Sequence, residues 1–303
     1  MTYIGIDLSK EYFDAMLLMP GGKKHHAQFK NTEKGLVQFD NWVKKYSKGE
    51  RHVCMEATNI YWEALAQARH NQGDVVSVVN PARIKGFAMS QLRRNKTDKQ
   101  DRDVIVEFCQ AVKPEAWKPP TPDQRKLRSL VRGREALIKS QTQQKNRLAT
   151  CQDEDVRQAL HAVLTTLQAE IDRLEQQIAQ FIAEHPALCA QAHHLRSVTG
   201  LGPVFTHLLM AEMYDLADYK DAHAAAADAS VNPAHDESGD TVRRRPKMSK
   251  IGKTARRAAL YWPAITAIRH TPVVRALAER LERQHKPKKL ILGAAMRKLM
   301  HRA

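Results

Sequence analysis

The sequence predicts an α/β domain at the N-terminus followed by a mainly α-helical remainder, and three observations carry that prediction. Before Pro81, short apolar runs bounded by turn residues alternate with amphipathic patterns. From Pro119 the "PPTP" element ends this alternation, and a long stretch follows with no glycine except Gly133. The last third is rich in alanine and leucine, interrupted by one strongly basic segment.

Tyr3 to Ser9, Tyr12 to Met19 and His25 to Lys30 read as strands, the first two followed by turn residues such as "PGGK" at Pro20 to Lys23. "NTEKGLVQFDNWVKKY" then opens on a capping residue, Thr32, and spaces Leu36, Phe39, Trp42 and Val43 along one helical face. "HVCMEAT" (His52 to Thr58) is a strand, "YWEALAQARHNQG" a helix closed by Gly73, and "VVSVVNP" a buried strand ended by Pro81. The order β-β-β-α-β-α-β, with helices after it, is the succession of the ribonuclease H-like fold. In such a sheet the first and fourth strands are neighbours.

In the middle of the chain Leu160, Leu164, Leu167, Ile171, Leu174, Ile178 and Phe181 alternate by four and three, the register of a helical coiled-coil segment. Two partners satisfy that seam: the Gln124 to Leu148 helix folded back antiparallel, or a second copy of the chain. "DAHAAAADAS" reads as packed helix, and "ESGDTVRRRPKMSKIGK" as a basic loop. The expected division is residues 1–118, 119–190 and 191–303.

Lys and Arg number 49 against 33 acidic residues, a formal net charge of +16. With a pI near 9.8, the matching partner is a polyanion, because neutralising phosphates releases condensed counterions. Membrane lipid is the weaker candidate, since no run of 18 apolar residues occurs and the mean hydropathy is −0.54, and no membrane partner is expected. "MTYIGID" enters a strand without a basic leader, so a cytoplasmic location is expected. Cys54, Cys109, Cys151 and Cys189 lie far apart without a CxxC pair, which argues for buried reduced thiols rather than a zinc site or disulfides. Trp42, Tyr61, Trp62 and Trp117 are expected in the core or at element junctions, and His193 and His194 on the surface.

The stretch "RRNKTDKQD" sets Asp98 and Asp101 among Arg93, Arg94, Lys96 and Lys99. If Thr97 caps a helix there, the two acids share one face. Asp7 ends the first strand and Glu56 the fourth, so the fold order brings these two to one edge of the sheet, and with Asp98 and Asp101 beside them four carboxylates would gather. Such a cluster repels itself unless a hard cation binds, and Mg²⁺ suits oxygen ligands and phosphoryl transfer. Each acid also has a plainer account: Glu56 as a strand-end residue, Asp98 as a first-turn charge on the helix dipole, Asp101 as an ion-pair partner of Lys99 or Arg102. Asp103 competes with Asp101, five positions from Asp98 and off its face.

The motifs "YIGIDLSKEYFD", "CMEATNIYWEALA", "VSVVNPARIKGFAMS" and "LRRNKTDKQDRDVIVEFC", followed by "SVTGLGPVF", "ESGDTVRRRPKMSKIGKTARRAALYWPA" and "LILGAAMRKL", resemble the DEDD-type transposases of insertion-sequence family 110, the bridge-RNA-guided recombinases. The likeness spans nearly the whole chain. It implies a RuvC-like domain whose acids are Asp7, Glu56, Asp98 and Asp101, with Mg²⁺ as cofactor. It implies, too, a catalytic serine in the C-terminal domain at Ser238, where the "SG" motif falls with Gly239; by itself "DESGD" reads as an ordinary turn. Implied partners are donor and target DNA, a guide RNA and further copies of the chain, a dimer or tetramer whose active site joins the RuvC-like domain of one subunit to the serine domain of another. The chain departs from the family in carrying Ser230 where a glycine is usual before the proline of the serine loop, and in ending at Ala303 soon after the "MRKL" motif, where relatives continue with another helix.

Backbone-gripping cations are expected at Arg93, Arg94 and Lys96 and at Arg243, Arg244, Arg245, Lys247, Lys250 and Lys253. "TGLG" at Thr199 to Gly202 is either a phosphate-binding hairpin or a turn without ligand. Competing functions are a RuvC-like nuclease or junction resolvase that needs no serine, an inactive nucleic-acid-binding remnant, and an actin-like sugar kinase or ATPase, the last opposed by the charge and by the lack of a later glycine-rich nucleotide loop.

Overall fold

A computed structural model of the chain describes residues 1–57, 59–91, 98–213, 216–238, 242–249 and 254–303; within these, the side chains of 98–101, 217, 235–238, 242–246, 254 and 255 are outside the description. The chain divides into two compact units, Met1–Pro119 and Pro120–Ala303.

In the first unit β1 (Thr2–Leu8), β2 (Tyr12–Leu18), β3 (Lys24–Lys30), β4 (Arg51–Glu56) and β5 (Val75–Val79) form one sheet in the order β3-β2-β1-β4-β5. β1, β2 and β3 pair antiparallel, whereas β1-β4 and β4-β5 pair parallel. The first and fourth strands are therefore adjacent, as the ribonuclease H-like order requires. The helices are α1 (Glu33–Tyr46), α2 (Glu63–Asn71), α3 (Pro81–Ser90) and α4 (Asp98–Val112). Thr32 caps α1 by accepting from the Gly35 amide. The cap expected of Thr97 falls outside the described residues, as does Thr58 at the end of the strand expected through His52 to Thr58.

Because strand side chains alternate, the sheet has two distinct faces. Ile4, Ile6, Phe13, Leu17, Val53 and Met55 pack on Phe39 and Val43 of α1 and on Leu65 of α2. Cys54 and Val79 pack on Ile84 of α3 and on Val104, Ile105, Phe108 and Cys109 of α4. Full burial of each such side chain stabilises the fold by about 1.5–3 kcal/mol. A buried Arg69 is held by Asp74 and by Asp40 at 2.9 Å, so those two carboxylates are structural.

The second unit opens with α5 (Pro122–Thr150) and α6 (Glu154–Glu184), helices of 29 and 31 residues. Thr121 and Gln124 close a capping box at the start of α5. The pairs Arg134–Glu175 at 2.7 Å and Gln141–Gln168 at 2.8 Å run in opposite directions along the two helices, so they form an antiparallel hairpin within the chain. The seam of α6 is unevenly covered: Ile171 and Ile178 are buried, while Leu160, Leu164, Leu167, Leu174 and Phe181 are half-buried.

Then come α7 (Pro186–Arg196), α8 (Pro203–Met213), a short 3-10 turn (Leu216–Asp218), α9 (Ala222–Asp228), β6 (Pro233–Ser238), β7 (Val242–Met248), α10 (Thr254–Ala259), α11 (Tyr261–His270), α12 (Pro272–Arg283) and α13 (Lys288–Met300). One core runs from Leu127 and Val131 of α5 through Leu195, Leu209 and Ala226 to Leu260, Ala264 and Leu299. The alanine run is packed helix, as composition indicated. The basic segment is not a loop but an antiparallel β-hairpin, β6 against β7. Two cysteines depart from expectation, with Cys151 half-buried and Cys189 exposed.

Candidate functional site

The period of two places Tyr3, Gly5 and Asp7 of β1 on the face that α4 covers, together with His52, Cys54 and Glu56 of β4. Parallel pairing runs to Ile6↔Met55, so Asp7 and Glu56 are the next residues on two adjacent strands. Both are half-buried.

α4 crosses this face antiparallel to β1. At Gly5 the helix backbone comes so close that a Cβ would lie 2.4 Å from the Val106 amide nitrogen. Glu107, one residue on, bonds Lys24 at 3.1 Å, and Lys24 belongs to the sheet end where β1 begins, through Leu18↔Tyr3. The Cys109 thiol points to the carbonyl of His52, the partner of Tyr3. At the opposite end Arg102 reaches Asp14 at 3.2 Å, and Asp14 is the cross-strand partner of Asp7. The first turn of α4, which starts at Asp98 and contains Asp101, thus lies at the end of the sheet where Asp7 and Glu56 sit. The helix spacing of Asp98 and Asp101 is present in the backbone, whereas their side chains, and Arg93, Arg94, Lys96 and the Thr97 cap, lie outside the described residues.

Asp14 carries no signal in the sequence beyond "YFD", yet it is central here. It accepts from His26 at 2.7 Å and from Gln28 at 2.9 Å, side chains on β3 that the register puts beside it. Burial raises the Asp14 pKa, but the Gln28 and His26 hydrogen bonds and the charges of His26 and Arg102 outweigh it, and the net shift is downward. Asp14 is thereby committed as an anion that holds Arg102, and through it the start of α4, against the sheet. Asp103 presents a buried Oδ1 that has no hydrogen-bond partner among the described residues. Also among the described residues, no three His, Cys, Asp or Glu side chains gather tightly enough for a metal site.

In the second unit Ser238 is the last residue of β6 and pairs with Val242, so it stands at the far end of the hairpin, roughly 17 Å along the ribbon from Pro233. The hairpin base is well tied. The Ser249 amide donates to the Asn232 carbonyl at 2.8 Å, and Asp228 at the end of α9 is gripped by Tyr219 and by the buried Arg256. Arg243 and Arg244 pair with Glu237 and Asp236 across the ribbon, and Lys247 with Ala234; Arg245 lies on β7 between them. Lys250, Lys253 and the 239–241 turn with Gly239 are outside the described residues. "TGLG" has a packing account: Gly200 has φ +105°, and a Cβ there would meet Ala267 and Pro263 of α11 at 3.3 Å. Sequence reading also passed over Tyr261 and Trp262, which are exposed at the start of α11.

No described helix is long and apolar enough to cross a membrane. The DEDD transposase model of the IS110 type, described as "Transposase", matches residues 4–154, and the model for the transposase IS116/IS110/IS902 family matches residues 192–279. Among curated proteins the chain is 30% identical over 309 residues to the pilin gene-inverting protein of Moraxella lacunata, covering 99% of this chain and 93% of that protein. It is 31% identical over 310 residues to the protein of the same name from Moraxella bovis, with the same coverage. With both halves matched and relatives at this identity aligned end to end, the chain belongs to the IS110 family of DEDD transposases, enzymes of DNA rearrangement.

Proposed function

We propose that the chain cuts and rejoins DNA with a Mg²⁺-dependent cluster of Asp7, Glu56, Asp98 and Asp101 and with Ser238 as nucleophile, guided to its sites by a bridge RNA. The observation that supports the cluster is the antiparallel run of α4 over β1, which carries its first turn to the Asp7 and Glu56 end of the sheet. The donor set suits a hard divalent cation, since every candidate is a carboxylate and none is sulfur or imidazole. When bound, Mg²⁺ supplies charge stabilisation to the attacking and leaving oxygens of a phosphodiester.

Asp7 and Glu56, anchored on rigid strands, hold their side of the cation site, and the helix that bears Asp98 and Asp101 is pinned by the Arg102–Asp14 pair. The Ser238 hydroxyl attacks phosphorus: an Oγ–P bond forms, the bond to the deoxyribose oxygen breaks, the hydroxyl proton is lost and the departing oxygen gains one. The DNA end is kept as a phosphodiester on the protein while strands exchange. Residues 1–118 serve as the acid-bearing domain, 119–190 as the helical linker and coiled coil, and 191–303 as the serine-bearing domain. The sites are composite between copies in a dimer or tetramer. Since the Moraxella relatives are named for inverting a pilin gene, the rearrangement includes inversion between paired sites.

The test uses Asp7→Asn and Ser238→Ala in the full chain with its element's RNA and paired DNA ends. Each is expected to abolish recombination while leaving nucleic-acid binding intact, and wild type is expected to yield a DNA-linked protein after denaturation. Strand exchange by Ser238→Ala with no trapped adduct would favour instead a RuvC-like nuclease or resolvase, which needs the acids alone.

A further inference from the structure

Most Phe, Tyr and Trp rings among the described residues pack on other rings. Phe13, Phe29, Phe39 and Trp42 form one such group and Trp62 meets Trp117 in another. Tyr261 and Trp262 differ: they are 44% and 63% exposed, and touch each other edge to face with centroids 5.4 Å apart and planes at 86°. Their backbone is firmly placed, because the next residues, Pro263, Ala264 and Ala267, are buried in the core of the second unit. A large ring fixed in water forgoes a gain in free energy that any apolar neighbour would supply.

What surrounds the pair names its partner. The sequence contains no Asp or Glu from Thr241 to Ala278, while Arg257, Arg269 and Arg275 lie in that span. Arg256 is turned inward onto Asp228, but Arg269 and Arg275 are exposed. On α11, Thr266 and Arg269 follow Trp262 at four and seven positions, so ring and guanidinium share one helical side, and all three residues are exposed. A second copy seated here would bring two copies of this acid-free, basic stretch of chain together and be repelled, whereas a polyanion is drawn in. Among polyanions, an exposed ring with an arginine about 10 Å along the same helical side suits an unpaired strand, a base on the ring and a phosphate further along the strand on the cation.

We infer that Tyr261 and Trp262 form a stacking site for a base of unpaired nucleic acid, DNA or RNA, with Arg269 holding an adjoining phosphate. The inference rests on nucleic-acid binding by the chain, and not on the roles given to the acids or to Ser238.

The experiment follows tryptophan emission of the full chain during titration with a single-stranded DNA, an RNA of the same sequence and the matching DNA duplex. Single strands are expected to quench wild type, and the quench is expected to vanish in Trp262→Phe, because Trp62 is buried and Trp42 and Trp117 lie in packed clusters. Trp262→Ala should weaken single-strand binding by about 5- to 100-fold without altering the salt slope, and Arg269→Ala should lower that slope by about one. Whichever of the DNA and RNA arms shows the larger loss identifies the strand that stacks. Unchanged single-strand affinity in Trp262→Ala, or an equal loss on duplex, overturns the inference. So does a change of oligomeric mass without a change of binding, or stronger quenching by phosphatidylserine vesicles than by single strands. Should Asp7→Asn retain recombination, the catalytic reading fails while this outcome stands on its own.

Discussion

Ser230 has φ +58° and is fully buried, with an Oγ that finds no partner among the described residues. It closes α9: the Ser230 amide donates to Ala227 and the Val231 amide to Ala226, the paired bonds of a left-handed helix end where glycine is favoured. The sequence showed Ser230 as a departure from the family's glycine; the structure supplies the reason, since a Cβ in this region is strained and a buried hydroxyl without a partner costs more. Ser230→Gly is therefore expected to raise the unfolding free energy by about 1 kcal/mol, after allowance for the looser unfolded chain. A urea midpoint unchanged or lowered relative to wild type would refute it. Gly5 is the reverse case, because nothing in "YIGID" reveals that a helix backbone lies against it. Gly5→Ala must push α4 away from β1. It is expected to cost about 1–3 kcal/mol and to weaken Mg²⁺-supported DNA cleavage; a variant with wild-type stability and cleavage would show that α4 yields without consequence.

Among elements, legibility followed burial. β1, β2, β4 and β5 were readable because strands covered on both faces demand apolar runs, whereas β3, which alternates exposed and half-buried residues, is marked only by the turn residues around it. The β6–β7 hairpin was not, since a two-stranded ribbon needs no apolar alternation and "VRRRPKM" shows none; its Pro246 is tolerated next to the register shift between Ala234 and Asp236. The α6 seam is plain in the sequence, which leaves its partner open; the short connection through Cys151, Gln152 and Asp153 and the pairs Arg134–Glu175 and Gln141–Gln168 make that partner α5. The packing of α8 on this pair brings a pH response. Burial lowers the His207 pKa to about 4, with the charges of Arg134 and Arg196 adding to the effect and Glu175 opposing it. The folded chain thus keeps His207 neutral while the unfolded chain takes up its proton near the ordinary value of 6.5. This share of stability is whole above pH 6.5 and is lost as pH falls from there toward 4. Burial of Glu212 raises its pKa, but the Arg132 bond and the charges of Arg132, Arg128 and Arg256 outweigh that, so the net shift is downward and its share is lost only as pH falls from 4.5. His52, whose pKa burial also lowers, slopes the same way as His207, so the useful quantity is a difference. His207→Gln is expected to flatten the fall in melting temperature between pH 6.5 and 4.5 relative to wild type; parallel curves would remove His207 as the cause.

For the whole molecule, net charge gave the class of partner and strand order gave the meeting of Asp7 with Glu56, but neither could reveal Asp14, whose role depends on Arg102 arriving from a helix far along the sequence. Nor could residue patterns by themselves say whether the acids and Ser238 that serve one DNA strand belong to the same copy of the chain; only the family resemblance implies that they do not. The proposed composite site makes a sharp prediction here. Asp7→Asn alone lacks an acid in every site, and Ser238→Ala alone lacks the nucleophile in every site, so each is inactive by itself. In a mixed dimer with composite sites, both lesions fall in one site and the other site is intact; with both halves drawn from one chain, every site keeps a lesion. Subunits exchanged freely at equal concentrations give about a quarter of the wild-type number of intact composite sites. Strand cleavage and trapped DNA-linked protein are therefore expected to reappear on mixing, with the adduct on the Asp7→Asn chain, which retains Ser238. Differently tagged variants that purify together yet yield no adduct would place the acids and the serine of each site within a single chain.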